Sequence, residues 1–215
     1  MHDSASEPVH ELLEEIRRAT RRRSGDTLHF KNLKIHKGHR IAAASRLNSP
    51  WLLHAAAISD KGAHGINEGW THDDTYYWVI TMLMERLSWM AQRWGSEMQV
   101  VLAHKRHMTT DKLSWHENRL RSGGGAQVGN RIDWSRISGP LAFDTPQENE
   151  FLQLSDLFAS SVGAAINGEG ENLTINTDYV RALAPRLYRG PSRKLNIYGL
   201  KIHPASSCPT WVSQI

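Results

Sequence analysis

The chain lacks the features that mark secreted and membrane-spanning proteins. Its 215 residues include one cysteine, Cys208, which excludes an internal disulfide and any zinc site built from several cysteines. No run of about 18 apolar residues is present, so the sequence predicts no membrane span and no membrane partner. The first residues lack the apolar core of a signal peptide. These absences together predict a cytoplasmic protein.

Common enzyme motifs are missing as well. The glycines 123–125 are not followed by the Lys-Ser/Thr of a phosphate-binding loop. Neither Ser155 nor Ser160 lies in a Gly-x-Ser-x-Gly turn, which disfavours a serine hydrolase. His116-Glu117 is not followed by a second histidine at the spacing of zinc proteases.

What the chain does have is an ordinary apolar content and clustered basic residues. A hydrophobic fraction of 40% in 215 residues is enough for one sizeable folded domain. The formal net charge is +4. The basic side chains cluster in residues 17–23, 31–40 and 105–121. Such clusters are typical either of a solvated face or of a nucleic-acid-binding surface.

The spacing of apolar residues predicts alternating helices and strands. Helices are predicted over residues 7–23, 39–48, 71–94, 109–121, 151–165 and 178–184. Strands are predicted over 51–58, 99–104, 137–143 and 194–203, and 28–35 is a short strand or an extended loop. The long helix between strands favours a layered α/β domain over a helical bundle.

One predicted helix carries a polar line on an apolar surface. Asp156 lies inside the apolar run 151–159, with Gln153 one turn before it and Ser160 one turn after it. A carboxylate beside a core is costly unless it is paired, hydrogen-bonded or metal-bound. The pattern leaves two interpretations open: a functional carboxylate, or a structural one that favours the helix dipole or a buried hydrogen bond.

Histidine pairs offer a weaker metal-binding pattern. His36 with His39, and His104 with His107, are spaced so that one helix face can share a metal, but exposed loop histidines are the favoured interpretation. The segment 72–74 is favoured as a helix N-cap over a metal corner.

The eight tryptophans are predicted to divide between the core and loops. Core positions are expected for Trp51, Trp78, Trp89 and Trp94. Trp70, Trp115 and Trp134 lie near loops with Arg or His close in sequence, where either base stacking or packing accounts for them. Packing is the favoured interpretation.

Four sequence blocks occur in an order that resembles a known family. The most specific is Phe143–Leu157, in which a strand, a polar turn and a Leu-Gln-Leu-Ser-Asp helix start follow one another. The others are Leu28–Leu33, Tyr77–Leu87 and Tyr198–Pro204. Together they resemble the bacterial and phage family called domain of unknown function 3800, through most of residues 7–204.

That resemblance implies an α/β, RNase H-like fold, similar to that of retroviral integrases, with a mixed sheet flanked by helices. It implies one domain over residues 1–215, with flexible tails at 1–6 and 205–215. It also implies a carboxylate cluster that binds Mg²⁺ or Mn²⁺ for phosphodiester hydrolysis. Such chemistry uses two hard cations about 3.5–4 Å apart, held by several carboxylate oxygens.

The family's helix acid corresponds to Asp156, which the resemblance makes a catalytic metal ligand, with Gln153 orienting it or the substrate. Asp144 is a candidate second metal ligand, and Glu85 and Asp111 are further candidate acids. Phosphate contacts are assigned to Lys31, Lys34, Lys105 and Arg106.

The chain differs from the family's pattern in two places. Family members open with a strand ending in Asp-Glu-Ser-Gly, whereas here no apolar strand precedes Asp3, so we predict that the N-terminal hairpin is absent. The predicted strand over 99–104 ends in His104 where RNase H-like sites commonly have an acid. An imidazole can ligate a metal or move a proton, but it does not replace a carboxylate for Mg²⁺.

The leading hypothesis is therefore a metal-dependent, nuclease-like hydrolase of phage defence or a mobile element. The alternative is a catalytically inactive RNase H-like subunit that binds nucleic acid or a protein partner. A sheet without its opening hairpin has an unpaired edge, which predicts a homodimer or a partner that completes it.

Overall fold

The structure is a computed structural model in which the chain is mixed α/β, as predicted. It describes residues 6–34, 38–60, 62, 69–106, 108–123, 131–168 and 174–215. The helices are α1 (Ser6–Ala19), α2 (His39–Arg46), α3 (His72–Arg93), α4 (Thr110–Arg121), α5 (Glu150–Asn167), α6 (Asp178–Leu183) and α7 (Leu195–Tyr198). The strands are β1 (Ala56–Ser59), β2 (Val101–Ala103), β3 (Ala142–Asp144) and β4 (Leu200–His203). Short 3₁₀ turns include Phe30–Asn32.

Contacts divide the chain into two compact units. The first, here called the helical unit, comprises Met1–His54 and Asp144–Arg186. The second, here called the sheet unit, comprises Ala55–Phe143 and Leu187–Ile215.

The helical unit is built from amphipathic helices that bury one face each. In α1 the residues Val9, Leu13 and Ile16 recur at helical spacing and are fully buried. This helix packs against α2 and α5, and α6 packs against α2 and α5 as well. The α1 helix ends at Ala19, earlier than predicted, because Arg21 takes a left-handed conformation with φ 56°.

The sheet unit holds short strands and the long helix α3. Strands β1 and β4 pair in parallel, with Ala56 opposite Leu200 and Ser59 opposite His203. Strands β2 and β3 pair in a second two-stranded sheet. The described strands thus form two small sheets. The single mixed sheet of an RNase H-like fold, which the family resemblance implies, stays a prediction.

The start of α3 confirms the predicted N-cap. The Thr71 hydroxyl accepts a hydrogen bond from the Asp74 amide at 3.1 Å, and the Asp74 carboxylate accepts one from the Thr71 amide at 2.9 Å. This reciprocal capping box satisfies two amides that a helix start leaves without partners.

Three predictions about local structure are wrong. The strand predicted over residues 51–58 begins only at Ala56, as β1. Residues 194–203 are not one strand, because Leu195–Tyr198 forms the short helix α7 before β4 begins. Trp51 and Trp94 are exposed rather than in the core, since Trp51 follows Pro50 in a turn and Trp94 lies at the C-cap of α3. Among the described residues, no helix has the length and apolar character needed to cross a membrane.

Candidate functional site

Asp156 lies on α5 with its side chain 39% exposed. Its Oδ2 accepts a hydrogen bond from the Phe30 amide at 3.1 Å, and the His29 Nδ1 lies 3.6 Å from the same oxygen. Its Oδ1 accepts no hydrogen bond from the part of the chain that the structure describes. The carboxylate is therefore fixed through one oxygen and open to solvent.

Gln153, one turn earlier on α5, is 3% exposed and connects three segments of the helical unit. Its Oε1 accepts hydrogen bonds from the Leu28 amide at 2.9 Å and from Arg17 at 3.3 Å. Its Nε2 donates to the Pro146 carbonyl at 2.7 Å. These contacts are structural, and the predicted role of Gln153 in orienting Asp156 or a substrate stays a prediction.

Arg17 belongs to a basic cluster that is not wholly a surface feature. The side chain is 2% exposed, donating from Nε to the Asp26 carbonyl and from one terminal nitrogen to Glu14, both at 2.8 Å. The other terminal nitrogen reaches Gln153 at 3.3 Å and lies 3.8 Å from Glu150. Nothing in the sequence distinguishes Arg17 from the other four arginines of residues 17–23 as the one that is buried.

Two of the other predicted acids, Glu85 and Asp144, have partners within their own unit. Glu85 lies on α3 of the sheet unit, where it pairs with Arg86 at 2.8 Å and accepts a hydrogen bond from the Arg131 amide at 3.1 Å. Asp144 ends β3 and accepts from the Thr145 amide at 2.8 Å. Asp111 lies in the first turn of α4 and is exposed.

The predicted histidine sites are only partly described. His104 follows β2, and its ring meets Phe143 edge-on with centroids 5.6 Å apart. Asp3, His36 and His107 lie outside the described residues.

No group of three or more His, Cys, Asp or Glu side chains in the described ranges is placed to hold a metal ion. Mg²⁺ requires near-octahedral oxygen ligation. One carboxylate beside an imidazole, as at Asp156, does not by itself make such a site.

The predicted phosphate contacts fall in two places. Lys31 and Lys34 are exposed in the helical unit, just after the Phe30 amide that Asp156 binds. In the sheet unit Arg106 is exposed, whereas the Lys105 ammonium lies over the Tyr76 ring, 4.4 Å from its centroid.

A cleft between α3 and α4 in the sheet unit, here called the aromatic cleft, was not predicted as a site. It encloses about 370 Å³. Its lining comprises Trp70, Asp73, Asp74, Tyr77, Trp78, Thr81, Trp115, His116, Arg119 and Leu120. The sequence signal was weak, because Trp70 and Trp115 were separate candidates for base stacking and only the fold places them on one cavity.

Rings in pairs form the walls of the aromatic cleft. Trp70 meets Trp78 edge-on at 5.7 Å between centroids, and the Tyr77 ring stacks on His116 at 4.2 Å. Trp115 is 60% exposed, and the Arg119 guanidinium lies over its ring at 5.3 Å. The cleft therefore presents flat aromatic surfaces, one of them open to solvent.

The charges around the aromatic cleft are largely compensated. Asp74 is engaged in the capping box, and Asp73 lies 3.2 Å from the Lys112 ammonium. Burial, together with the positive charge of Arg119, lowers the pKa of His116 to about 4. His116 is therefore a neutral imidazole at neutral pH.

The lowered pKa of His116 predicts a loss of stability in mild acid. Between about pH 6.5 and pH 4 the unfolded chain binds a proton at this position that the folded chain does not, so stability falls as the pH drops. Screening by solvent reduces the effect, so the shift corresponds to at most about 3 kcal/mol, lost as the pH falls through 4. Urea unfolding at a series of pH values should show a shallower fall for His116→Gln, and an unchanged fall would contradict the assignment.

In comparisons with known proteins, no family model, no curated protein and no solved structure matches this chain.

Proposed function

We propose that this chain is a metal-dependent, nuclease-like protein of the RNase H-like class, in which Asp156 is one of the metal ligands. The observation that supports the proposal is the state of that carboxylate. One oxygen is held by the Phe30 amide, while the side chain remains 39% exposed and within reach of a divalent ion. The Leu-Gln-Leu-Ser-Asp block that ends in Asp156 resembles the corresponding block of the domain of unknown function 3800 family, which also ends in an aspartate.

The surface next to Asp156 suits a polyanionic substrate. His29 lies beside the carboxylate, and the exposed Lys31 and Lys34 follow within the next five residues of the chain. Lysine side chains contact phosphate groups as point charges. Lys31 and Lys34 would thus hold a nucleic-acid backbone close to the segment that Asp156 binds.

Completion of a Mg²⁺ or Mn²⁺ site requires carboxylates besides Asp156. The described residues alone do not supply the full set, so the remaining ligands have to come from other groups in the working assembly. A homodimer or a partner that completes a sheet edge is one source of such groups.

Asp156→Asn is expected to slow metal-dependent cleavage strongly. Asparagine keeps an oxygen that accepts the Phe30 amide, but it loses the charge that a divalent ion needs. We expect the cleavage rate of labelled DNA or RNA in Mg²⁺ or Mn²⁺ to fall by roughly 10² or more, the scale of one lost electrostatic contact in a transition state.

Asp178→Asn is the matched control for that experiment. Asp178 is a well-exposed acid at the start of α6 in the same unit, paired with Arg181 one turn away. Its replacement should leave cleavage unchanged. An unchanged cleavage rate in Asp156→Asn, or an equal fall in Asp178→Asn, would contradict the proposal.

A second candidate function is binding without cleavage. Gln153 and Asp156 both anchor backbone amides of residues 28–30 to α5, which is the behaviour of structural groups. An RNase H-like subunit of this kind would bind nucleic acid or a protein partner equally well with and without divalent ions. Retention of labelled oligonucleotide in EDTA, with no cleavage in Mg²⁺ or Mn²⁺, would favour this function.

A further inference from the structure

We infer that the aromatic cleft binds an unpaired nucleobase of a single-stranded nucleic acid. The inference rests on the proposed function for the class of ligand, but the cleft belongs to the sheet unit and Asp156 to the helical unit. Its volume of about 370 Å³ lies within the range of small-ligand pockets.

The first argument is the exposed tryptophan in the lining. A large apolar ring that is 60% exposed gains little from the core, and the Arg119 guanidinium lies over one face of the Trp115 ring. Aromatic side chains that are open on one face are the platforms on which single-stranded bases stack, and arginine adds a cation–π contribution. Trp70, Tyr77 and Trp78 supply further ring surface around the same cavity.

The second argument is two polar atoms without partners. The Tyr77 hydroxyl and the Trp78 indole nitrogen are buried and form no hydrogen bond with the described residues. Leaving a buried polar group unsatisfied is costly, so each such group calls for an explanation. Both residues line the cleft, although the two atoms themselves have no exposed surface, so a base that bonds to them has to displace the side chains that cover them. Its edge carries acceptors for the indole N–H and either type of partner for the hydroxyl.

The third argument is the charge balance of the cleft lining. It disfavours a quaternary ammonium ion, which is the other common ligand of aromatic cavities. A quaternary ammonium ion needs uncompensated negative charge or π faces without a nearby cation. Here Asp73 is paired with Lys112, Asp74 is used by the helix cap, and Arg119 is in the lining. A neutral heterocycle that is attached to phosphates fits this balance better than a cation does.

The test is quenching of tryptophan fluorescence by a short oligothymidylate in EDTA, where no cleavage occurs. The matched probe is the same sugar-phosphate chain with abasic sites, which keeps the charge and removes the bases. We expect oligothymidylate to bind at least about tenfold more tightly than the abasic chain, the scale of one stacked base. Equal affinities would overturn the inference, as would quenching by choline that oligothymidylate does not displace.

Two variants locate the binding. Trp115→Ala should weaken oligothymidylate binding by about tenfold, and Trp115→Phe should restore most of it. Trp94→Ala is the control, because Trp94 is 52% exposed in the same unit but does not line the cleft. Equal weakening by Trp94→Ala, or none by Trp115→Ala, would overturn the inference. Because these are binding measurements without metal, failure here is distinct from failure of the cleavage assay on Asp156.

Discussion

Replacement of Gln153 by leucine is expected to lower the free energy of unfolding of the helical unit by about 3 kcal/mol or more. Leucine fills a similar volume but leaves the Leu28 amide, the Pro146 carbonyl and one Arg17 nitrogen without the partner they have now. A buried group that loses its hydrogen bond costs about 1–3 kcal/mol. Urea unfolding followed by far-ultraviolet circular dichroism measures the difference.

Two further variants on α5 sharpen that experiment. Ser155→Ala, at an exposed neighbour whose hydroxyl donates to the Phe151 carbonyl of the same helix, should change stability by about 0.5 kcal/mol or less. Gln153→Glu keeps the acceptor for the Leu28 amide and loses the donor to Pro146, so an intermediate loss is expected. A Gln153→Leu chain as stable as Ser155→Ala would mean that Gln153 is not the connector its contacts indicate.

Gly199→Ala is expected to destabilise the sheet unit by about 3 kcal/mol. A Cβ at this position would lie 2.5 Å from the Tyr188 carbonyl oxygen and 2.7 Å from the Leu195 Cδ1. The first of these is backbone, which cannot move aside as a flexible side chain can. The Gly199 carbonyl also accepts the Ala56 amide at 2.7 Å beside β1, so a shift here disturbs the β1–β4 pairing.

Gly163→Ala is the matched control for the glycine variant. Gly163 lies inside α5, and a Cβ there would meet nothing within 4 Å. Alanine should therefore raise stability by up to about 1 kcal/mol, because glycine is the weaker helix former. Thermal unfolding of both variants gives opposite shifts in Tm, and shifts of the same sign would contradict the steric account of Gly199.

The predictability of the candidate site differs from residue to residue. Asp156 and Gln153 stand out from the sequence because polar residues one turn apart on an apolar helix are rare. Their partners do not, since the Leu28 and Phe30 amides lie more than 120 positions earlier and a backbone amide carries no sequence signal. Whether Asp156 is a functional or a structural carboxylate depends on those partners, so the sequence leaves both interpretations open.

The failure at residues 194–203 has a different cause. Leu195, Ile197, Leu200 and Ile202 fit a strand nearly as well as a helix followed by a strand, because short apolar runs are ambiguous in period. The ambiguity is resolved where Gly199 passes close to the Tyr188 backbone and lets α7 end before β4. That close approach is a property of the packed chain.

Apolar spacing and capping residues were enough to predict the mixed α/β class, the long helices α3 and α5 and the capped start of α3, because these signals act within one or two turns. It also marked Asp156 as an unusual carboxylate. Three features follow from the folded chain instead: Arg17 is buried, Asp156 stays 39% exposed with one oxygen bound to the Phe30 amide, and Trp70 and Trp115 share one cavity. Those three outcomes depend on contacts between residues far apart in the chain, which local spacing does not encode.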